Sequence, residues 1–541
     1  MDSPSLSLRS FLVYGLLGGI FATIITFIAT SFLGLPYPPE AIFQLMISLV
    51  PGSVQSVAVE TFGEYAKYGA FTFSAAIYAT MYAFVAVLAG FLFRKELASK
   101  SLYALVFATA IPTTIGLGLQ WLLSPRTSIL SVLFGWLIAS TLTIGVNFAY
   151  AAIVIYPALA QLDTAIALTA AEGEGARTRL ASRRGFLKKV TVAAAVLAVA
   201  GFLSQIGLSL FSGQPVVRTN TPIPINNPPA ATGLTFLPAI FRDPRISDLV
   251  GSEVTDNRIF YRVDIDPIPP QLDFDQWTLK ISGKVNNPYS LDKSGLMALP
   301  TIDEYAALEC VSNTINPPSA LISNAKWTGV PLATILNQAG ISAEAKYVVF
   351  HCADGYSVGI PLNRAMKPEA LMAYKMNDQV LSNGHGFPLR AIVPGIYGMM
   401  NAKWITEIEV VDHVYFGFWQ ERGWSNDAKI KTTSIIYYPP SDANVHGPIP
   451  IAGVAFAGDR GISRVEVSVD GGGTWNEALL KPPHSPYSWV LWAYQWTPTN
   501  IGPYRILARA YDGTGKAQDP TAMPPFPEGA SGYNIIEVNV T

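Results

Sequence analysis

Hydrophobic residues follow two different rhythms along this chain. The first 211 positions hold five long apolar runs, at residues 11–35, 70–93, 102–123, 128–156 and 190–211. Each is long enough, at about 20 residues, to cross a hydrocarbon layer of roughly 30 Å as a helix. Lipid leaves backbone polar groups no partner but the backbone itself, so the runs predict transmembrane helices. Further on the rhythm changes. Residues 464–470 alternate apolar and polar before an Asp470-Gly471 turn; alternation returns at 505–511 and 536–540, with an aromatic strand at 489–496. Short strands divided by Gly and Pro turns predict an all-β, immunoglobulin-like sandwich at the end of the chain. The stretch 245–438 mixes strand-like runs (277–281, 347–351, 390–393, 406–411) with short helical ones such as 331–338, and reads as α+β.

These patterns predict a multi-domain chain. Residues 1–157 form an all-α transmembrane domain of four helices, and 158–211 a cytoplasmic loop with the fifth helix. A linker rich in proline (Pro215, Pro222, Pro224, Pro228, Pro229 and Pro238) covers 212–245. An α+β domain follows at 246–438, and the sandwich at 439–541.

Charge orients the apolar half. Arg9, then Arg94, Lys95 and Lys100, then Arg177, Arg179, Arg183, Arg184, Lys188 and Lys189 occupy alternate loops, whereas the other two loops carry Lys67 and Arg126. Positive residues stay cytoplasmic, which predicts a multi-pass protein of the cell membrane with its N-terminus inside and everything after residue 211 outside. Ser182-Arg183-Arg184-Gly185-Phe186-Leu187-Lys188 resembles a twin-arginine export signal; a basic stop at the end of a helix fits the same residues. No run contains Asp, Glu, Lys, Arg or His, so no haem is expected between the helices, and the apolar half reads as an anchor in lipid. A net charge of −2 gives no support to a nucleic-acid partner.

Chemistry is confined to the second half. Cys310 and Cys352 are the two cysteines, and they fit one bridge, a metal ligand or a buried thiol. All five histidines lie beyond residue 350, with no zinc-protease spacing among them. The segment Gly384-His385-Gly386-Phe387-Pro388-Leu389-Arg390, continued by Pro394-Gly395-Ile396-Tyr397-Gly398 and Lys403-Trp404, combines glycines with cations. Glycine lets backbone N–H groups approach an anion, and Arg and Lys complement phosphate; a plain turn between strands fits the same residues.

Taken together, several segments resemble the sulfite oxidase family. They are Cys310 followed by Val311-Ser312-Asn313, Ala325-Lys326-Trp327-Thr328-Gly329-Val330-Pro331-Leu332, Ala373-Tyr374-Lys375-Met376-Asn377, and the His385–Arg390 stretch through Lys403-Trp404. Val467-Ser468-Val469-Asp470-Gly471-Gly472-Gly473-Thr474-Trp475 resembles the family's C-terminal dimerisation domain. The resemblance implies a molybdenum–molybdopterin cofactor with Cys310 as metal ligand, flanked by Ser312 and Asn313. It implies that His385, Arg390 and Lys403 hold the pterin phosphate, with Gly398 in the cradle, that Asp354 bonds the pterin, and that Arg262 lies beside the metal. A salt bridge with Asp264 is the plain alternative for Arg262.

The departures concern substrate. Animal and plant sulfite oxidases place a tyrosine where Trp419-Gln420-Glu421-Arg422-Gly423 leads to Trp424. The arginines after their ligand cysteine are replaced by Thr314 and Ile315, and Glu528-Gly529 stands near another. The expected activity is oxygen-atom transfer to or from a small molecule, with Cys310, Arg262 and Trp424 at the reacting centre. Electrons would pass to a separate carrier, a cytochrome, copper protein or quinone-linked partner, and the chain would form a homodimer. Alternatives are a sulfoxide reductase on the same fold and a non-catalytic, membrane-tethered interaction protein.

Overall fold

The computed structural model describes residues 69–80, 238–266, 269–316 and 321–541, with scattered positions between 20 and 58. The chain divides into two compact units, residues 1–50 with 65–212 and residues 51–64 with 213–541. In the first, residues 69–80 form a continuous helical stretch. Among the described residues no helix is long and apolar enough to cross a membrane. That corrects the expected all-α transmembrane domain and, with it, the five-helix placement in the cell membrane. The apolar runs at 102–123, 128–156 and 190–211 and the Arg183-Arg184 motif lie outside the described residues.

The second unit is mostly β, which also corrects the α+β expectation for residues 246–438. Among the described residues its one helix of eight residues, α1 (Leu332–Ala339), buries Leu332, Ile335, Leu336 and Ala339 along a single stripe and ends at Gly340, where φ is +67°. Neighbouring helices at Ser247–Gly251, Lys293–Met297 and Leu362–Ala365 have five residues or fewer. Strands carry the architecture instead. They are β1 (Thr278–Gly283), β2 (Tyr289–Asp292), β3 (Ile302–Glu309), β4 (Ile322–Pro331), β5 (Tyr347–Cys352), β6 (Ser357–Pro361), β7 (Leu371–Met376), β8 (Gln379–Val380), β9 (Arg390–Ile392) and β10 (Ile405–Val411).

One sheet runs β2-β1-β10-β5-β6, and a second runs β3-β4-β7-β8 with β9 added against β7. Residues 348–350 of β5 are fully buried because the strand lies inside its sheet and is covered on both faces, which explains its unbroken apolar run. β1 is covered on one face and alternates, burying Leu279 and Ile281 while Lys280 reaches Glu407 on β10. The antiparallel pairing of β3 with β4 ends at Glu309 opposite Ile322, so the chain from Cys310 to Leu321 is an excursion closed at its base.

Residues beyond 430 form two sheets around a common core. Here β11 (Thr433–Tyr438), β13 (Ile449–Phe456), β16 (Leu479–Leu480) and β17 (Val490–Trp496) make one sheet, in the order β11-β13-β17-β16. The other contains β12 (Ala443–Val445), β14 (Ile462–Ser468), β15 (Asn476–Glu477), β18 (Gly502–Asp512) and β19 (Asn534–Val540), in the order β12-β19-β18-β14-β15. Ile451, Val465, Val467, Trp492, Ile506 and Val538 meet between the sheets. The alternation at residues 464–470, 505–511 and 536–540 corresponds to β14, β18 and β19.

Candidate active site

Cys310 begins the excursion between β3 and β4. Its amide donates to Leu321 O at 2.9 Å, and the Asn313 amide returns to Cys310 O at 3.0 Å. Asn313 closes the turn further: Nδ2 donates to Glu309 Oε1 and Oδ1 accepts from the Leu321 amide, each at 2.9 Å. The thiol is thereby fixed pointing inward, 3.0 Å from Ser312 Oγ. Burial pushes the thiol above its ordinary pKa, with Ser312 working against the shift.

The thiol lines a cavity of about 110 Å³ together with Arg262, Ser312, Asp354, His385, Arg390, Gly398, Lys403 and Trp424. Residues up to 162 positions apart (Arg262 to Trp424) thus converge, from the segment before β1, the β3–β4 excursion, the turn after β5, and the loops flanking β9 and following β10. Asn313 does not line the cavity; its bonds hold the excursion in place. Tyr261, Tyr356, Met399 and Trp404 also line it, and the sequence reading named none of the four as site residues. The signal for Tyr261 was its place beside Arg262, and for Trp404 its place in the Lys403-Trp404 motif; Tyr356 and Met399 carry no motif that sets them apart from core residues.

Arg390 is the strongest electrostatic feature. Its guanidinium is buried against the Trp327 ring, 4.9 Å from the centroid. Nη1 donates to His385 O at 3.1 Å, while Nε has no partner. Among the described residues no carboxylate pairs with it, and burial brings its pKa down to about 10. A desolvated cation without a counter-charge costs several kcal/mol, so this position favours an anion.

The other two cations share one carboxylate. Lys403 forms a buried ion pair with Asp264, and Arg262 Nη2 lies 3.3 Å from the same carboxylate. Arg262 lines the cavity and pairs with Asp264, as the plain alternative for it expected. His385 is a different case: Nε2 faces Asn257 O at 2.7 Å and must donate to it, because a carbonyl only accepts. Burial lowers its pKa to about 4, so at neutral pH it is an uncharged ring held in one tautomer. Asp354 caps the turn after β5 by accepting from the Tyr356 amide at 3.0 Å. Burial first, then the Asp266 carboxylate, raise it to about 7.

Two glycines permit the close packing. A Cβ on Gly398 would sit 2.5 Å from Tyr261 Oη and 3.3 Å from Glu309 O. One on Gly386, where φ is +105°, would press on Lys403 and Arg390 side chains at 3.0–3.1 Å. Opposite, Trp424 is 6% exposed and its Nε1 has no partner, while the ring meets Phe526 edge-on with centroids 5.2 Å apart.

A buried thiol, an uncompensated guanidinium and orphaned donors surround one hollow, and the sequence matches are to molybdopterin proteins. Residues 266–419 match the oxidoreductase molybdopterin binding domain, and residues 425–524 the Mo-co oxidoreductase dimerisation domain. The sulfite oxidase of Arabidopsis thaliana is 31% identical over 335 residues, covering 51% of this chain and 85% of the plant protein. The mitochondrial sulfite oxidase of Drosophila melanogaster is 31% identical over 328 residues, covering 51% and 57%. The sulfane dehydrogenase SoxCD of Paracoccus pantotrophus aligns over 52% of this chain and 80% of its own, with 23% identity and a TM-score of 0.46. The chain belongs to the sulfite oxidase family of molybdopterin oxidoreductases. It spans 57–62% of the length of its fly, mouse and rat relatives.

Proposed function

We propose that the protein is a molybdopterin-dependent oxidoreductase that transfers an oxygen atom to or from a small molecule and exchanges electrons with a separate carrier. One observation carries this reading: the buried, uncompensated guanidinium of Arg390 and the buried thiol of Cys310 face the same cavity. The cofactor, when bound, supplies the two-electron redox centre. Cys310 would be its protein ligand, and metal binding would displace the thiol proton that burial otherwise retains. Arg390 would take the pterin phosphate, assisted by Lys403 and by His385 acting as a neutral partner. Asp354 would accept from the pterin, Ser312 would steady the sulfur, and Gly398 would allow close approach. Asn313 would act through the loop it closes.

Charge decides the substrate. A doubly anionic substrate such as sulfite needs several convergent cations to offset its desolvation. Arg262 and Lys403 already share Asp264, and Trp424 contributes a flat apolar wall with one N–H donor. The preferred substrate is accordingly neutral or singly charged, such as an organic sulfoxide or its sulfide, with weak sulfite turnover. That balance favours sulfoxide reduction as the second reading of the same site. The carrier would be a cytochrome, copper protein or quinone-linked partner, and the match at residues 425–524 supports a homodimer.

The test is metal analysis of the purified full-length protein, followed by turnover of sulfite and methyl phenyl sulfoxide with dye acceptors and donors. About one molybdenum per chain is expected, falling by about tenfold or more in Cys310→Ser. A folded wild type that turns over substrate without molybdenum would overturn the reading.

A further inference from the structure

Tyr261 reaches into the cavity between the β3–β4 excursion and the turn at Gly398. Its amide is tied to Ser323 Oγ at 3.2 Å, and its ring stacks on Phe260 with centroids 5.7 Å apart. The hydroxyl, by contrast, bonds to no described residue. Space has been cleared for it: a Cβ on Gly398 would fall 2.5 Å from Oη, and the same point lies 3.3 Å from Glu309 O, the carbonyl that leads into Cys310. The hydroxyl is therefore held beside the peptide that carries the thiol. The indole N–H of Trp424, buried and unpartnered, lines the same hollow.

An O–H left without an acceptor carries an energetic cost. A protein can relieve that cost through whatever occupies the cavity. The neighbouring cations are partly spent on Asp264, and two neutral donors suit an oxygen that carries partial rather than full negative charge. Resting on the oxygen-transfer reading above, we infer that Tyr261 is a substrate-binding residue whose hydroxyl donates a hydrogen bond to a sulfoxide-type oxygen. This makes it a specificity determinant for neutral oxo substrates. Phe at this position would keep the ring stack and lose the donor alone.

The test uses molybdenum-loaded, full-length protein and two binding probes, methyl phenyl sulfone, which bears acceptor oxygens, and methyl phenyl sulfide, which bears none. Equilibrium dialysis gives a sulfone-to-sulfide affinity ratio, a quantity insensitive to the fraction of protein folded. Wild type should prefer the sulfone by about five- to tenfold, and Tyr261→Phe should bring the ratio close to one. The molybdenum content of the variant should match wild type. A loaded wild type with no preference for the sulfone overturns this inference while leaving the oxygen-transfer reading intact, and the wild-type measurement needs no variant to fold. An unchanged ratio in Tyr261→Phe overturns it equally. Protein without molybdenum overturns both.

Discussion

Trp424 meets Phe526 edge-on, with ring centroids 5.2 Å apart, so a residue of the cavity wall is braced by one near the end of the chain. Gly423, with φ at +91°, turns the backbone so that this contact can form. The wall is therefore shared between the segment after β10 and the loop before β19.

Phe526→Ala should loosen that wall without touching the metal ligand. An aromatic pair contributes about 0.5–1.5 kcal/mol beyond its buried area, so a part-exposed Phe should cost about 2 kcal/mol in all. Urea unfolding reads the loss. KM for a sulfoxide should rise while molybdenum content stays level; unchanged KM would show that Trp424 needs no brace.

Trp424→Tyr exchanges an indole N–H for a phenolic hydroxyl in the same wall. Selectivity should move toward sulfite by about tenfold, the scale on which one pocket contact discriminates substrates. Competition between sulfite and methyl phenyl sulfide measures it. A loss of cofactor instead would place Trp424 in the cradle.

Asp264→Asn removes the carboxylate that Arg262 and Lys403 share. Two cations then face the cavity without their counter-charge. KM for sulfite should fall by about fivefold, corresponding to ~1 kcal/mol, whereas the cofactor-free protein should lose about 3 kcal/mol or more. Opposite signs in steady-state kinetics and thermal unfolding are the signature.

The sign of the pH effect at Asp354 follows from its pKa, raised to about 7 from 3.8. Between those values the folded protein keeps a proton that the unfolded chain has lost. Stability of the cofactor-free protein should then fall as pH rises from about 4 to about 7. Asp354→Asn keeps the acceptor for the Tyr356 amide and removes this term. Thermal melts of the two proteins should converge at about pH 4 and separate by pH 8, the variant being the more stable there.

Strand periodicity made β14, β18 and β19 legible, because their alternation reflects one buried face. The motif around Cys310 and the run from His385 to Lys403 likewise point to one site, since loop residues that bind a group leave a local signature. Pairings across the fold leave none. Nothing at Asp264 announces that it will neutralise Lys403, 139 positions later. His385, expected to hold the phosphate, is a neutral ring because burial lowers its pKa against the pull of the Asn257 carbonyl. Apolar length predicted spanning helices, whereas among the described residues no helix is long and apolar enough to cross a membrane.

The β3–β4 excursion is tied at Ile315 and Asn316 to Asn534 of β19, and the Trp424 wall rests on Phe526. On the ribosome, at roughly 5–20 residues per second, both contacts would wait until residue 534 has emerged. A nascent chain stopped short of that point would present a hollow open on two sides. Cofactor loading would then follow the synthesis of β19, and premature stops before residue 526 should yield chains that hold little molybdenum.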